Sequence, residues 1–243
     1  MATSTEAARL LLALREGELT LDGRLVEATN ASFVGVARLL GDGFEVRCVY
    51  KPIAGERPLW DFPDGTLAHR EVAAYLVSEA AGWDVVPPTA FREDGPLGPG
   101  MAQQWIEADA EMDLVEALRS GHPGLRRIAL FDAVVNNTDR KGGHLLPLPD
   151  GRLLGVDHGV CFSVEPKLRT ILWGWRGTPL EPPELAALAR LRRALDGRLG
   201  DELRRHLDPA EGAATRLRVE TLLAEGRFPQ PSPDWPAVPW PPF

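Results

Sequence analysis

The stretch LFDAVVNNTDRKGGH, residues 130–144, and the later GVDHG, residues 155–159, decide the interpretation of this 243-residue chain. The first half is apolar and predicts the end of a helix, which runs into a polar loop containing Asp139. Two short strands are predicted between that loop and Asp157. One carboxylate that accepts a hydroxyl proton, with a second that holds Mg²⁺, is the arrangement that phosphoryl transfer requires. The stretch therefore predicts a phosphotransfer site between a helix and a strand pair.

Lysine and asparagine are scarce in this chain. The 27 basic residues include only three lysines, and asparagine is equally rare; the positions are Lys51, Lys141, Lys167, Asn30, Asn136 and Asn137. A GC-rich genome explains the scarcity, because arginine then supplies any generic positive charge. An ammonium group is not interchangeable with a planar guanidinium, so these positions guide the search for functional residues. All six fall in the segments that the predicted site uses or in the loop beside it.

Lys51 closes an alternating strand that begins near Phe44, and its ammonium can bind a phosphate as a point charge. A helix is predicted from about residue 67 to 81, and Glu71 lies in its first turn. A carboxylate there can hold the ammonium of Lys51 in place. Either residue alone is typical of a solvated surface, but the scarcity of lysine favours a functional Lys51.

Composition excludes several classes of partner. The formal net charge of −8 argues against nucleic acid or an anionic membrane surface as the main partner. No apolar run is long enough to cross a bilayer, so we expect no stable membrane insertion and a cytoplasmic protein. Cys48 and Cys161 lie far apart in apolar surroundings, which predicts two buried thiols rather than a disulfide or a zinc site.

The order of predicted elements divides the chain into two lobes and a tail. Residues 1–107 hold a first helix with a possible capping box at Thr3 and Glu6, strands over 18–53, the helix over 67–81, and strands over 88–93 and 100–107. Residues 108–227 are mainly helical, with helices over 113–120, 124–136, 183–197, 200–207 and 210–226. Residues 228–243 hold seven prolines and two tryptophans, which predicts irregular structure. This α+β pattern predicts a cleft between the lobes.

These residues resemble a known superfamily. NNTDRKGGHLL…GVDHG is similar to the catalytic and metal-binding loops of the phosphatidylinositol 3-/4-kinase-like superfamily, especially the NTDR motif of type II phosphatidylinositol 4-kinases, with the same interval between the two aspartates. GERPLWDFPDGTLAHREVAAY and VEPKLRTILWGW extend the resemblance across nearly the whole chain, to an actinobacterial group related to that superfamily. The resemblance implies a two-lobed protein-kinase-like fold, ATP as the nucleotide, and Mg²⁺ or Mn²⁺ as the metal.

The resemblance also assigns roles to single residues. It makes Lys51 the phosphate-binding lysine, Glu71 its partner on the helix, Asp139 the catalytic aspartate and Asp157 the metal aspartate. Lys141, two residues after Asp139, matches the lysine of Ser/Thr protein kinases that touches the transferring phosphate. It favours a protein or small hydroxyl acceptor over a lipid.

Further nucleotide-binding residues follow from the same comparison. The turn expected to cover the phosphates lacks glycine, so its contacts would depend on the side chains of Thr29, Asn30 and Ser32. The hinge between the lobes falls at Gln104, Trp105 and Ile106, where backbone groups would meet adenine. Core packing is an equally good interpretation of Trp105.

His144 departs from the family pattern. It stands where a second metal-binding asparagine is expected, and imidazole is a poor ligand for Mg²⁺. One metal ion then suffices, or Mn²⁺ is used, or Asn136 or Asn137 compensates. His158, which replaces an aromatic residue of the family motif, is predicted to have a structural role.

The leading hypothesis is an ATP-dependent kinase that transfers a phosphoryl group to a hydroxyl of a protein or small molecule. The alternatives are a nucleotide-binding pseudokinase, which His144 and the glycine-poor turn favour, and an enzyme that transfers AMP. Lys167 is interpreted either as a solvated loop cation or as a substrate-recognition residue. The tail is interpreted either as a docking arm or as a segment packed across the helical lobe.

Overall fold

The computed structural model describes residues 4–25, 30–41 and 43–243. The strands in these ranges are β1 (Glu18–Arg24), β2 (Phe33–Arg38), β3 (Glu45–Pro52), β4 (Thr89–Arg92), β5 (Gly100–Gln104), β6 (Leu145–Pro147) and β7 (Leu153–Gly155). The helices are α1 (Ser4–Glu16), α2 (Leu67–Ala81), α3 (Leu114–Ser120), α4 (Pro123–Val135), α5 (Pro182–Leu195), α6 (Arg198–Leu203) and α7 (Pro209–Glu225). This order confirms the predicted α+β architecture, with a β-rich lobe followed by a helical lobe.

Within the described residues, β1–β5 form one antiparallel sheet in the order β1-β2-β3-β5-β4. Alternation along β3 places Val46, Cys48 and Tyr50 in a small core together with residues of α1. Lys51 therefore faces the opposite side of the sheet, where its register partner on β5 is Met101. Helix α2 covers that side, since Met101 packs against residues of α2. The sheet thus aims Lys51 at α2.

Helix α2 is buried along most of its length because it lies between the sheet and the helical lobe. It ends at Gly82, whose φ of 65° is the left-handed conformation typical of a glycine C-cap. Arg70 joins α2 to the other lobe, with one guanidinium nitrogen 2.5 Å from Glu211 of α7 and another 2.8 Å from the carbonyl oxygen of Cys161. These contacts fix the position of Glu71 relative to both lobes.

The structure agrees with most predicted element boundaries to within a few residues. The strand predicted over 100–107 ends at Gln104, beyond which Glu107 is exposed and pairs with Arg47. Thr3 of the proposed capping box lies outside the described residues. Cys48 and Cys161 are both buried free thiols, as predicted. None of the described helices combines the length and the apolar character needed to cross a membrane.

Two histidines meet where α2 approaches the end of α6. The Nδ1 atoms of His69 and His206 are 3.0 Å apart, and His69 stacks on Phe91. Burial lowers the pKa of both imidazoles; nearby Glu93 partly offsets this for His69. For His206, burial together with the charges of His69 and Arg205 lowers the pKa to about 4. Both rings are therefore neutral in the folded protein near pH 7, when one Nδ1 donates to the other.

This pair predicts an acid-sensitive contact between α2 and α6. The ordinary pKa of histidine is 6.5, so between about pH 6.5 and 4 the unfolded chain binds a proton at His206 that the folded chain excludes. As the pH falls over this range, we expect the free energy of unfolding to decrease more steeply in the wild type than in His206→Phe, because the phenylalanine ring does not titrate. Urea unfolding of both proteins at a series of pH values measures the difference. The contribution of the carboxylates cancels in this comparison, because they titrate alike in both proteins. Parallel profiles would contradict this assignment.

Candidate functional site

Lys51 lies at the centre of an ion cluster that joins the two lobes. Its Nζ is 2.6 Å from Glu71 Oε1 on α2 and 2.8 Å from Asp157 Oδ1, just after β7. Burial opposes the charge of Lys51, but Asp157 and Glu71 outweigh this effect and raise its pKa. The Lys51 ammonium in turn holds the pKa of Asp157 far below its usual range. Lys51 and Asp157 are therefore both charged at neutral pH.

Asp157 has an unusual backbone conformation that serves this cluster. Its φ is 64°, in the left-handed region that aspartate tolerates better than most residues. The Asp157 side chain is half exposed, and the turn aims the next backbone N–H, that of His158, at Glu71 Oε2, 2.9 Å away. Glu71 therefore binds both Lys51 and the segment that carries Asp157.

Asp139 and Lys141 lie on the loop after α4. Lys141 Nζ is 3.0 Å from Asp139 Oδ2, and both side chains are partly exposed. The Asp139 N–H donates to Asn137 Oδ1 at 2.9 Å, which fixes the loop at this position. His144 Nε2, at the end of the same loop, is 3.4 Å from Asp157 Oδ2. The structure thus brings the loop of Asp139 to the ion cluster around Lys51.

Asn136 and Asn137 do not supply the missing metal ligand, and that interpretation is wrong. Asn136 ends α4 with a φ of 53°, and its buried Nδ2 donates to the carbonyl oxygens of Ser163 and Glu165. Asn137 is fully buried, with Nδ2 3.0 Å from Asp132 Oδ1. Both carboxamides hold loops in place and face away from solvent.

Arg140 is the main residue that sequence analysis missed. It is fully buried and binds Asp132 of α4 through Nε and Nη2, with the shortest distance 2.9 Å. Its Nη1 donates to the carbonyl oxygens of Val156 at 3.0 Å and His144 at 3.3 Å. The one available signal was Asp132 itself, an acidic residue inside the apolar run LFDAVV, which requires a buried cation as its partner.

His158 links Arg140 to Glu71. Its Nε2 is 2.7 Å from Arg140 Nη2, which can only donate, so the ring proton resides on Nδ1. Nδ1 lies 3.9 Å from Glu71 Oε2, beyond hydrogen-bond distance, and it is the backbone N–H of His158 that donates to Glu71. Burial, supported by the charge of Arg140, lowers its pKa well below the usual value and keeps the ring neutral. The predicted structural role of His158 agrees with this position.

The remaining predicted nucleotide contacts form two groups in the sequence, one before β2 and one that begins at the end of β5. Thr29 falls outside the described residues. Asn30 Oδ1 accepts from the Arg57 N–H at 2.9 Å, while Ser32 is buried and its hydroxyl donates to the Asn30 carbonyl at 3.4 Å. Their role in binding phosphates stays a prediction.

The predicted hinge residues Gln104, Trp105 and Ile106 are half-buried at the end of β5. The guanidinium of Arg47 lies 4.9 Å from the Trp105 ring centroid, and Trp105 Nε1 donates to Glu107 at 2.7 Å. Trp105 is thus a partly exposed ring held by polar contacts, and its adenine-binding role stays a prediction.

Asp157 and His144 are the two groups that could hold a metal ion. They offer one carboxylate and one imidazole nitrogen, whose pKa burial lowers so that the ring is neutral and able to coordinate. Among the residues that the structure describes, no three or more His, Cys, Asp or Glu side chains form a metal-binding group. Mg²⁺ and Mn²⁺ at phosphotransfer sites take few protein ligands and complete their shell with phosphate and water oxygens. The Asp157 carboxylate fits either ion, and the His144 imidazole fits Mn²⁺ better than Mg²⁺.

Lys167 is not a solvated cation, and that interpretation is wrong. Its side chain is 2% exposed, with Nζ 2.7 Å from Asp61 Oδ2. The rings of Phe62, Trp60 and Trp235 surround the same ammonium, with centroids 4.7, 5.7 and 5.4 Å away. We call this group of five residues the lysine cage. It encloses Lys167 and leaves its ammonium little access to a substrate.

The buried ion pair of Arg140 and Asp132 predicts a large stability effect. We expect Arg140→Met to lower the free energy of unfolding by about 3–5 kcal/mol, because it leaves the carboxylate of Asp132 buried without its cation. Arg152→Met is the matched control, since Arg152 is about half exposed and pairs only with surface carboxylates. Urea unfolding measures both, and a loss in Arg140→Met no larger than in Arg152→Met would contradict the central position given to Arg140.

Comparison with known proteins gives relatives at several distances. No family model matches the chain. Protein Rv2133c of Mycobacterium tuberculosis is 43% identical over a 266-residue alignment that covers 95% of this chain and 94% of that protein. Phosphatidylinositol 4-kinase gamma 5 of Arabidopsis thaliana is 30% identical over 188 residues, which covers 64% of this chain and 29% of the plant protein. The chain thus spans under a third of that plant kinase.

Among solved structures, that of the Golgi casein kinase superposes with a TM-score of 0.56. The superposition covers 93% of this chain and 75% of that one at 13% sequence identity, so it is informative about the fold alone. It confirms the two-lobed kinase-like fold predicted from the sequence. The near full-length similarity to Rv2133c shows that the chain belongs to the family of that mycobacterial protein.

Proposed function

We propose that the chain is an ATP-dependent phosphotransferase that acts on a hydroxyl group. The observation that carries the proposal is the double ion pair of Lys51 with Glu71 and Asp157, in which an ammonium group lies beside a half-exposed carboxylate. The adjacent pair of Asp139 and Lys141 supplies an acceptor-side carboxylate next to a second cation. Phosphotransfer needs this combination of positioned charges more than it needs covalent chemistry.

Each residue has a distinct task in this proposal. Lys51 binds the α- and β-phosphates, and Glu71 holds its ammonium in position. Asp139 accepts the proton of the acceptor hydroxyl. The hydroxyl oxygen attacks the γ-phosphorus, and the bond between the γ-phosphorus and the bridging oxygen of the β-phosphate breaks. Lys141 neutralises charge on the transferring group. Asp157 and His144 hold a divalent ion, which would neutralise the phosphate oxygens.

We assign the nucleotide to the cleft between two lobes, residues 1–107 and 108–227. Adenine would meet backbone groups at Gln104, Trp105 and Ile106, and the phosphates would lie under the turn containing Thr29, Asn30 and Ser32. A cytoplasmic location, where ATP is plentiful, belongs to the same proposal. The net charge of −8 does not favour an anionic membrane surface as the place of action.

His144 favours a second candidate function, a nucleotide-binding module without turnover. Its imidazole, 3.4 Å from Asp157, is a weaker ligand for Mg²⁺ than an amide oxygen. The two candidates differ in one respect. Both bind ATP through Lys51, but only the enzyme requires Asp139.

Separate variants distinguish binding from turnover. We expect Lys51→Ala to abolish the thermal stabilisation by ATP with Mg²⁺ or Mn²⁺, because the phosphates lose their cation. We expect Asp139→Asn to keep that stabilisation but to lose at least about 100-fold in ATP consumption, the range of a general base. Asp150→Asn, an exposed aspartate paired with Arg152 in a β-turn, is the matched control and should behave as the wild type.

The outcomes are distinct. Stabilisation by ATP with no turnover in the wild type, under either metal, would select the binding module. Wild-type turnover that is unchanged in Asp139→Asn would remove Asp139 from the mechanism. Mass spectrometry of a modified acceptor separates phosphoryl transfer from AMP transfer by the mass added.

The imidazole of His144 also predicts a metal preference. We expect the wild type to work better with Mn²⁺ than with Mg²⁺, since Mn²⁺ accepts nitrogen ligands more readily. His144→Asn, which supplies an oxygen, should shift this ratio toward Mg²⁺ by about tenfold. Initial rates of ATP consumption over a range of each metal measure the ratio. An unchanged ratio would show that His144 is not a ligand.

A further inference from the structure

The C-terminal segment from Trp235 to Phe243 lies against the loop that carries Asp139. The carbonyl oxygen of Pro242 accepts a hydrogen bond from the Gly142 N–H at 2.8 Å. The ring of Phe243 packs directly on Gly142, where a β-carbon would collide with it. Gly142 is three residues beyond Asp139, so this segment, which we call the strap, contacts the loop on which an acceptor must be positioned.

The strap makes a second contact beside the same loop. The carbonyl oxygen of Ala237 accepts from the Thr170 N–H at 3.0 Å and from Trp173 Nε1 at 2.7 Å. Thr170 is itself paired with Arg140 in a parallel bridge, next to Asp139 in sequence. The strap therefore satisfies backbone donors on both segments that flank Asp139.

The lysine cage anchors the start of the strap. Trp235 stacks on Trp60 with ring centroids 6.3 Å apart, and both rings face the ammonium of Lys167. A buried lysine is costly unless it is paired, and here Asp61 and the aromatic faces compensate for the lost water. Removing Trp235 would open the cage as well as free the strap. The position of the strap against the loop of Asp139 is therefore coupled to the burial of Lys167.

We propose that the strap determines the class of acceptor, excluding polypeptides and admitting small hydroxyl compounds. An extended polypeptide gains much of its affinity from main-chain hydrogen bonds. The N–H groups of Gly142 and Thr170, which an acceptor chain would use near Asp139, are already bonded to strap carbonyls. The Asp139 side chain remains 32% exposed, so a small hydroxyl compound can still reach it. The inference rests on the proposed function. Of the two acceptor classes that the sequence favours, a protein and a small hydroxyl compound, it selects the small compound.

Release of the strap tests this inference. The probe is fluorescein-labelled, dephosphorylated casein, a serine-rich unfolded polypeptide, and its binding is measured by fluorescence anisotropy. We expect Phe243→Ala and Trp235→Ala each to bind the probe at least about tenfold more tightly than the wild type, because they free the covered N–H groups. Phe243 is 61% exposed, so its replacement leaves the core intact even if the cage variant folds poorly. Trp240→Ala, a strap residue that is 85% exposed, is the matched control and should bind as the wild type does.

Hydrogen–deuterium exchange of residues 141–144 and 170–173 reports directly on the strap. Exchange should be faster in the two release variants and unchanged in Trp240→Ala. Equal casein binding in all four proteins, whether tight or undetectable, overturns the inference, and so does unchanged exchange in Phe243→Ala. Neither measurement depends on turnover. If the protein consumes no ATP but the release variants still bind casein more tightly than the wild type, the result contradicts the proposed phosphotransferase activity. It does not contradict the inference about the strap.

Discussion

The buried ion pair between Arg140 and Asp132 is the contact on which the candidate site depends. Asp132 projects from α4 into the helical lobe, and Arg140, on the loop that also carries Asp139, forms an ion pair with it. The remaining donors of the guanidinium reach the backbone of Val156 and the ring of His158, on either side of Asp157. One cation therefore sets the relative positions of Asp139 and Asp157, the two aspartates of the candidate site.

From that point a chain of polar contacts continues into the β-rich lobe. His158 accepts from Arg140, its backbone N–H binds Glu71, and Glu71 binds Lys51. The burial of Glu71 and His158 makes each link costly to break, because a lone charge or donor would be left without water. The two lobes are thus held in register by the same groups that face the proposed nucleotide, and a shift of α2 would alter the site directly.

Local pattern was enough to predict one part of this arrangement. Strand alternation up to Lys51, the helix containing Glu71 and the interval between Asp139 and Asp157 are properties of short segments, and the structure brings these residues together. The partners of Arg140 and Lys167 were not predictable in this way. Lys167 lies 106 positions from Asp61, and nothing near either residue in the sequence indicates that a proline-rich tail would bring Trp235 to the same ammonium. Burial of a charge is decided by distant groups, so an arginine or lysine in a polar loop looks solvated from sequence alone.

The lysine cage completes a pattern with a chemical consequence. Each of the three lysines forms an ion pair, Lys51 with Glu71 and Asp157, Lys141 with Asp139, and Lys167 with Asp61. Every lysine amine of this protein therefore contacts a carboxylate of the candidate site or of the lysine cage. Acylation of any lysine, by a labelling reagent or a cellular metabolite, would modify the proposed nucleotide site, the proposed acceptor site or the anchor of the strap.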